Sequence, residues 1–195
     1  MNYSPTFLIN MIKIIKIFFR DLLSIVESLI IYFPITFVGK KIRILYWSSK
    51  YRIKNLKYIG RGAIIISTDK ICIGSNFVLE DNTIISNADG YGIYIGKNVG
   101  IANGCYIRTA NHNIDNIDIP WMEQGHISKS ISYQNDVFSI VIDEDVWIGA
   151  HSIILSGSQI GKGAVISAGS VVSSNIPAYS IVAGNPARVI KSRLK

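Results

Sequence analysis

Residues 142–172 read IDEDVWIGAHSIILSGSQIGKGAVISAGSVV, and their aliphatic side chains keep a beat of six: Ile142, Ile148, Ile154, Ile160, Ile166 and Val172. A period this short cannot hold a pair of helices. Each unit must be one brief strand and a turn, so three units close one triangular coil. A second register supports this. Four residues after each aliphatic stand Val146, Ser152, Ser158, Ala164, Ser170 and Ile176, small or β-branched side chains that fit where flat faces meet at a corner. Glycine follows the aliphatic in Ile148-Gly149 and Ile160-Gly161, where a turning backbone tolerates little side chain.

The same beat runs through Ile73, Leu79 and Ile85 and through Ile95, Ile101 and Ile107, with Ile59 and Ile65 as an opening pair. It breaks twice. Ten residues separate Ile85 from Ile95, which leaves four extra around Asn87 to Gly92, and thirty-five separate Ile107 from Ile142. The run 111–139 must therefore leave the coil as a long loop, and loops of that length are usually functional.

The expected architecture is a mainly β parallel β-helix over 59–187, preceded by a helical, apolar and basic segment over 1–58 and followed by a tail over 188–195. The 195 residues carry a formal net charge of +7, unevenly placed. Up to Arg61 there are eleven Lys or Arg against Asp21 and Glu27, whereas the rest has nine against eleven. A near-neutral coil argues against nucleic-acid binding along its faces. Phe7 to Phe19 and Leu22 to Val38 are apolar runs with helical periodicity, the first broken by Lys13 and Lys16, the second by Glu27 and Pro34. Neither offers about twenty uncharged residues, so a membrane span is disfavoured. Lys40, Lys41, Arg43, Lys50, Arg52, Lys54, Lys57 and Arg61 then follow without an acidic residue. Apolar helices beside such a basic stretch point to peripheral contact with an anionic membrane surface; a cap on the open end of the coil is the competing reading. Two cysteines without metal-type spacing fit a reducing cytoplasm, at the inner face of the cytoplasmic membrane if the segment binds lipid. Cys105 reads as a small core residue.

Of the three histidines, His112 stands where the coil is interrupted, His126 lies within the loop and His151 falls on a turn. From Asp145-Val146-Trp147-Ile148-Gly149-Ala150 through Ile166-Ser167-Ala168-Gly169-Ser170 to Gly184-Asn185-Pro186-Ala187-Arg188, the chain resembles the hexapeptide-repeat acetyltransferases. It is most similar to the galactoside, maltose and polysaccharide or lipopolysaccharide O-acetyltransferases. The resemblance implies a left-handed coil, against the usual crossover rule, a homotrimer with active sites between subunits, and acetyl-CoA as co-substrate with no metal. It implies transfer to a hydroxyl of a sugar or glycan, in cell-surface polysaccharide synthesis. By the same resemblance His112 is the catalytic base. Ala150, Ala168, Ser173, Ser174, Arg188 and Lys191 would contact the cofactor, and Asn82 and Asp89 the acceptor. Ala150 stands where the sugar acetyltransferases often carry serine, so only its backbone N–H could meet an oxyanion.

A sugar hydroxyl is too weakly acidic to ionise at neutral pH, so a base must take its proton. Imidazole, with an ordinary pKa of about 6.5, can accept that proton and return it to the thiolate. Three rivals stand beside this reading. One is a sugar N-acetyltransferase; another is a zinc enzyme needing His112, His126 and His151 together. The third is a solenoid scaffold without catalysis.

Overall fold

The computed structural model describes residues 5–67 and 70–194; residues 1–4, 68, 69 and 195 lie outside it. The repeat region winds into a three-sided parallel coil. The first face stacks Tyr58–Ile59, Val78–Leu79, Gly100–Ile101, Trp147–Ile148, Val165–Ile166 and Ser180–Ala183. The second stacks Ile64–Ser67, Ile84–Asn87, Tyr106–Arg108, Ile153–Leu155 and Val171–Val172. The third stacks Ile71–Ile73, Ile93–Ile95, Ile140–Ile142 and Ser158–Ile160.

Register puts the aliphatics of the six-residue beat directly over one another. Ile59, Leu79, Ile101, Ile148, Ile166 and Val182 form one column. Ile65, Ile85, Ile107, Ile154 and Val172 form the second, and Ile73, Ile95, Ile142 and Ile160 the third. Apart from half-buried Ile73, all of these are buried. The core is thus built on three apolar columns meeting on one axis, and on the third face residues two positions earlier, such as Ile93 and Ile140, point inward as well.

Two of the three corners never lose the beat. From first face to second, and from third to first, every step between inward residues is six. All irregularity falls between the second and third faces, where the steps run eight from Ile65 to Ile73, ten to Ile95, thirty-five to Ile142, six to Ile160 and four from Val172 to Ile176. Ile176 corrects the expected register. It bridges to Ile160 in the third column instead of sitting at a corner, because the last coil is two residues short.

The corner serines contribute more than small size. Ser152, Ser158, Ser170 and Ser180 each donate to the carbonyl three residues back, at 2.6–2.7 Å. Ser158 also reaches the Val172 carbonyl of the next coil at 3.0 Å. These buried hydroxyls therefore satisfy carbonyls that the turn leaves over. Gly149 is required for space and not for an unusual φ. A Cβ there would stand 2.6 Å from the Ala168 nitrogen of the adjacent coil.

The amino-terminal segment departs from the expected pair of helices. One helix, α1, runs unbroken over Pro5–Tyr32 through the polar Arg20-Asp21 pair, since both residues tolerate a helical backbone. Pro34 separates it from α2, Phe37–Tyr51, where Thr36 caps the start by accepting from the Gly39 N–H at 3.0 Å. The second helix therefore lies in the basic stretch, not in the second apolar run. It closes the coil end: Trp47 is buried in the common core, and the Tyr51 hydroxyl donates to the Ile65 carbonyl at 2.9 Å.

Arg43 is not part of the basic surface. It is fully buried, donating from Nη1 to the Phe33 carbonyl at 2.7 Å and from Nε to the Ile59 carbonyl at 3.2 Å. One guanidinium thus ties the end of α1 to the first coil. Arg43→Ala is expected to lower unfolding free energy by about 3 kcal/mol, read from the urea midpoint, because both carbonyls lose a charged donor. A loss below about 0.5 kcal/mol would show that α1 is held by other contacts.

Candidate active site

The irregular corner carries the polar equipment. Its largest excursion, expected as a loop over 111–139, is well structured. Asn111–His112 pairs antiparallel with His126–Ile127, so that His112 and His126 are direct cross-strand partners. Asn113 N–H extends the ribbon to the Gly125 carbonyl at 3.0 Å. Beyond it, the Gln124 side chain closes the tip by donating to the Asn116 and Ile119 carbonyls and accepting from the Asn116 N–H.

The neck of the loop is fixed by hydroxyls. Ser128 Oγ donates to the Thr109 carbonyl at 2.6 Å and lies 2.7 Å from Ser139 Oγ and 3.2 Å from Ser156 Oγ. Ser139 in turn accepts from the Tyr91 N–H at 2.8 Å, which links the loop to the 85–95 insertion. The returning chain forms a hairpin of Ile131–Tyr133 and Asp136–Phe138 that packs Tyr133 and Phe138 on Tyr94 of the third face. Burial, then the nearby Asp143 carboxylate, pushes the Tyr133 hydroxyl up to about 12, so it stays a neutral phenol.

His112 is exposed on this ribbon, with Trp121 edge-on at 4.7 Å between ring centroids and His126 at 4.6 Å. His126 Nδ1 lies 3.1 Å from Asp89 Oδ2. Asp89 comes from the insertion between Ile85 and Ile95, so the two longest interruptions of the repeat meet at one place. An exposed imidazole on a tethered ribbon is suited to take a proton from a molecule docked at this corner.

The other candidates are spread around the coil. Ser173 and Ser174 are exposed just past Val172, on the same corner in a later coil. Asn82 sits at the first-to-second corner with φ 56°, and its carboxamide occupies the space beside Gly62. Ala150 and Ala168 stack at that corner, with the Gly169 N–H donating to the Ala150 carbonyl at 2.8 Å. His151 is a turn residue there, with φ 58° and its ring over Gly104, at the far end of the second face from His112. The three histidines therefore do not converge. Arg188 and Lys191, expected in a tail, lie on the strand Arg188–Ser192, antiparallel to Ser180–Ala183 at the edge of the first face.

Within one chain, then, the corner of His112 gathers Asp89, His126 and Trp121, while Asn82, Ala150 and Ala168 lie one corner away. Trp147 is partly exposed and covers Gly100, where a Cβ would stand 2.7 Å from its ring. Cys105 is buried, and desolvation pushes its thiol up, which leaves it a core residue and not a nucleophile. His126, Trp121 and Gln124 as site-building residues are not evident from spacing, because nothing periodic marks them.

Residues 139–174 match the family model for bacterial transferase hexapeptide (six repeats). Over that stretch the chain is similar to the hexapeptide-repeat transferases. It is 37% identical over 125 residues to the probable acetyltransferase Rv3034c of Mycobacterium tuberculosis (strain ATCC 25618 / H37Rv), covering 64% of this chain and 36% of that one. The chain spans 36% and 55% of the length of two curated relatives it matches, and 22% of a third. A maltose O-acetyltransferase from Clostridium difficile 630 superposes with a TM-score of 0.58 at 27% identity, covering 90% of this chain and 87% of that one. A galactoside acetyltransferase in complex with coenzyme A shares the fold, with a TM-score of 0.63, 24% identity and coverage of 84% and 75%. The hexapeptide-repeat coil is accordingly the left-handed parallel β-helix that the resemblance implied.

Proposed function

We propose that this protein transfers an acetyl group from acetyl-CoA to a hydroxyl of a sugar, with His112 as general base. The observation that carries the reading is the exposed imidazole of His112, paired across an ordered ribbon with His126 at the only corner where the described coil departs from its repeat. As the acceptor oxygen attacks the thioester carbonyl, its proton passes to His112. The tetrahedral oxyanion collapses, the C–S bond breaks, and the imidazolium returns the proton to the thiolate. The Ala150 N–H is the proposed oxyanion donor. Ala168, Ser173, Ser174, Arg188 and Lys191 are the proposed CoA contacts, and Asn82 an acceptor contact.

The separation of Asn82, Ala150 and Ala168 from His112 within one chain supports a homotrimer, in which a neighbour's corner would complete each site. Incubation of the protein with acetyl-CoA and a panel of glycans tests the chemistry. Thiol release should depend on the carbohydrate, and the product acetyl should be removed by mild alkali as an ester. An alkali-stable amide would move the assignment to an amine acceptor.

The acceptor is proposed to be a cell-surface polysaccharide precursor, met at the inner face of the cytoplasmic membrane. Supporting this, α1 leaves Ile14, Phe18 and Leu29 each about two-thirds exposed (64–66%), and Lys13 and Lys16 of the same helix and Lys40 of α2 are exposed as well. No described helix is long and apolar enough to cross a membrane, so the fitting mode is to lie in the interface. Replacing Ile14, Phe18 and Leu29 together with Glu should weaken sedimentation with phosphatidylglycerol vesicles by at least about tenfold, given roughly 1.5–3 kcal/mol per large apolar side chain buried. Equal sedimentation of variant and parent would remove the membrane from the account.

A further inference from the structure

The two longest insertions at the irregular corner end on the same rings. Asp89, with φ 56°, belongs to the shorter one, and His112, Trp121 and His126 belong to the longer. A left-handed backbone costs an aspartate little, and here the turn leaves its carboxylate oxygen 3.1 Å from His126 Nδ1. The His126 ring then faces His112 at 4.6 Å with a 37° tilt, while Trp121 meets His112 edge-on at 75°.

The ribbon under His112 is only two residues per strand. Such a short pair does not by itself hold an exposed side chain in one orientation. Among the described residues, the His112 ring is met by these two rings and by no hydrogen bond. Its orientation is therefore set by what fixes His126 and Trp121.

We infer that Asp89 and His126 are positioning residues for His112: the carboxylate of one insertion anchors His126 of the other, and His126 with Trp121 clamps the catalytic ring. This deepens the proposed function and rests on His112 being its base. It also gives Asp89 a task other than contacting the acceptor. A displacement of about 1 Å at a reacting group can cost on the order of 100-fold, so partial release of the clamp should cost about tenfold.

The test uses the full chain with acetyl-CoA and the best glycan from the panel. Asp89→Ala and His126→Ala should each lower kcat about tenfold with KM for both substrates unchanged. The double variant should be no slower than the worse single one, because Asp89 acts only through His126. In a His126→Phe background, which keeps a ring against His112, removing Asp89 should change nothing further. Independently of activity, the His112 ring signals in NMR spectra should shift and broaden in Asp89→Ala while thermal stability holds. Additive losses, or a raised KM for the glycan with kcat preserved, would overturn the inference and return Asp89 to the acceptor. Unchanged His112 ring signals would also overturn it. Should the parent protein transfer no acetyl group, the proposed function fails by itself and the ring signals still decide on the clamp.

Discussion

His112→Ala is expected to lower kcat for acetyl transfer by about 10²- to 10⁴-fold while CoA still binds and the protein keeps its thermal stability. The stability half of the expectation follows from placement. His112 is exposed on a ribbon outside the coil, and none of the three apolar columns includes it. The kinetic half follows from chemistry. Without the imidazole the acceptor hydroxyl must lose its proton to water as it attacks, and the departing thiolate has no nearby acid. What survives is the rate gained by holding two substrates together, which the substitution leaves in place. The check is steady-state thiol release beside a CoA-binding titration. A turnover within about threefold of the parent would place the base elsewhere, and loss of CoA binding would make His112 a cofactor contact.

Ile148→Ala should cost about 2–5 kcal/mol of unfolding free energy, measured by urea denaturation. Ile148 is fully buried and stacked between Ile101 and Ile166. Its neighbours cannot close the void, since each is fixed by the parallel hydrogen bonds that link its coil to the next. Residues flanking Ile148 tighten the constraint, because Gly149 already lies against the Ala168 backbone. Coils interact with nearest neighbours, so the damage should centre on the segment from 95 to 172 and spare the α2 cap. Hydrogen exchange would show this as faster exchange in those strands. A cost below about 1 kcal/mol would mean that the column is less tightly packed than its burial indicates.

The coil was legible because one physical rule generates it. Each strand sends one aliphatic of the beat inward, and a period of six at two corners never slips, so Ile142 to Val172 reveals the whole prism. Gly149 and the corner serines carry their reasons in steric room and hydroxyl donors, which residue type alone signals as smallness. The end of the coil was harder to read. Ile176 occupies the third column because two residues are missing after Val172, and a local count of six assigns it to a corner instead. The amino-terminal break was misplaced for a related reason: Arg20-Asp21 looks like an interruption in hydropathy, yet only Pro34 interrupts a helical backbone.

The site was legible only in outline. The proposed base, His112, could be singled out because it follows the last regular repeat before the excursion. Its company could not, because Asp89 and His126 are thirty-seven residues apart and meet only through two insertions that carry no periodicity. Asn82 is singled out by residue type alone. Its amide chemistry suits an acceptor, whereas within one chain it is a left-handed turn residue packed on Gly62, a corner away from the imidazole.

A crystal structure of the assembled protein with CoA bound would test the account at its centre. The prediction is a pantetheine arm running along the coil with its sulfur about 3–4 Å from the His112 ring, close enough to exchange a proton directly or through one water. A CoA sulfur lying beyond about 8 Å from that ring in every site of the assembly, with His112 turned to solvent, would contradict it.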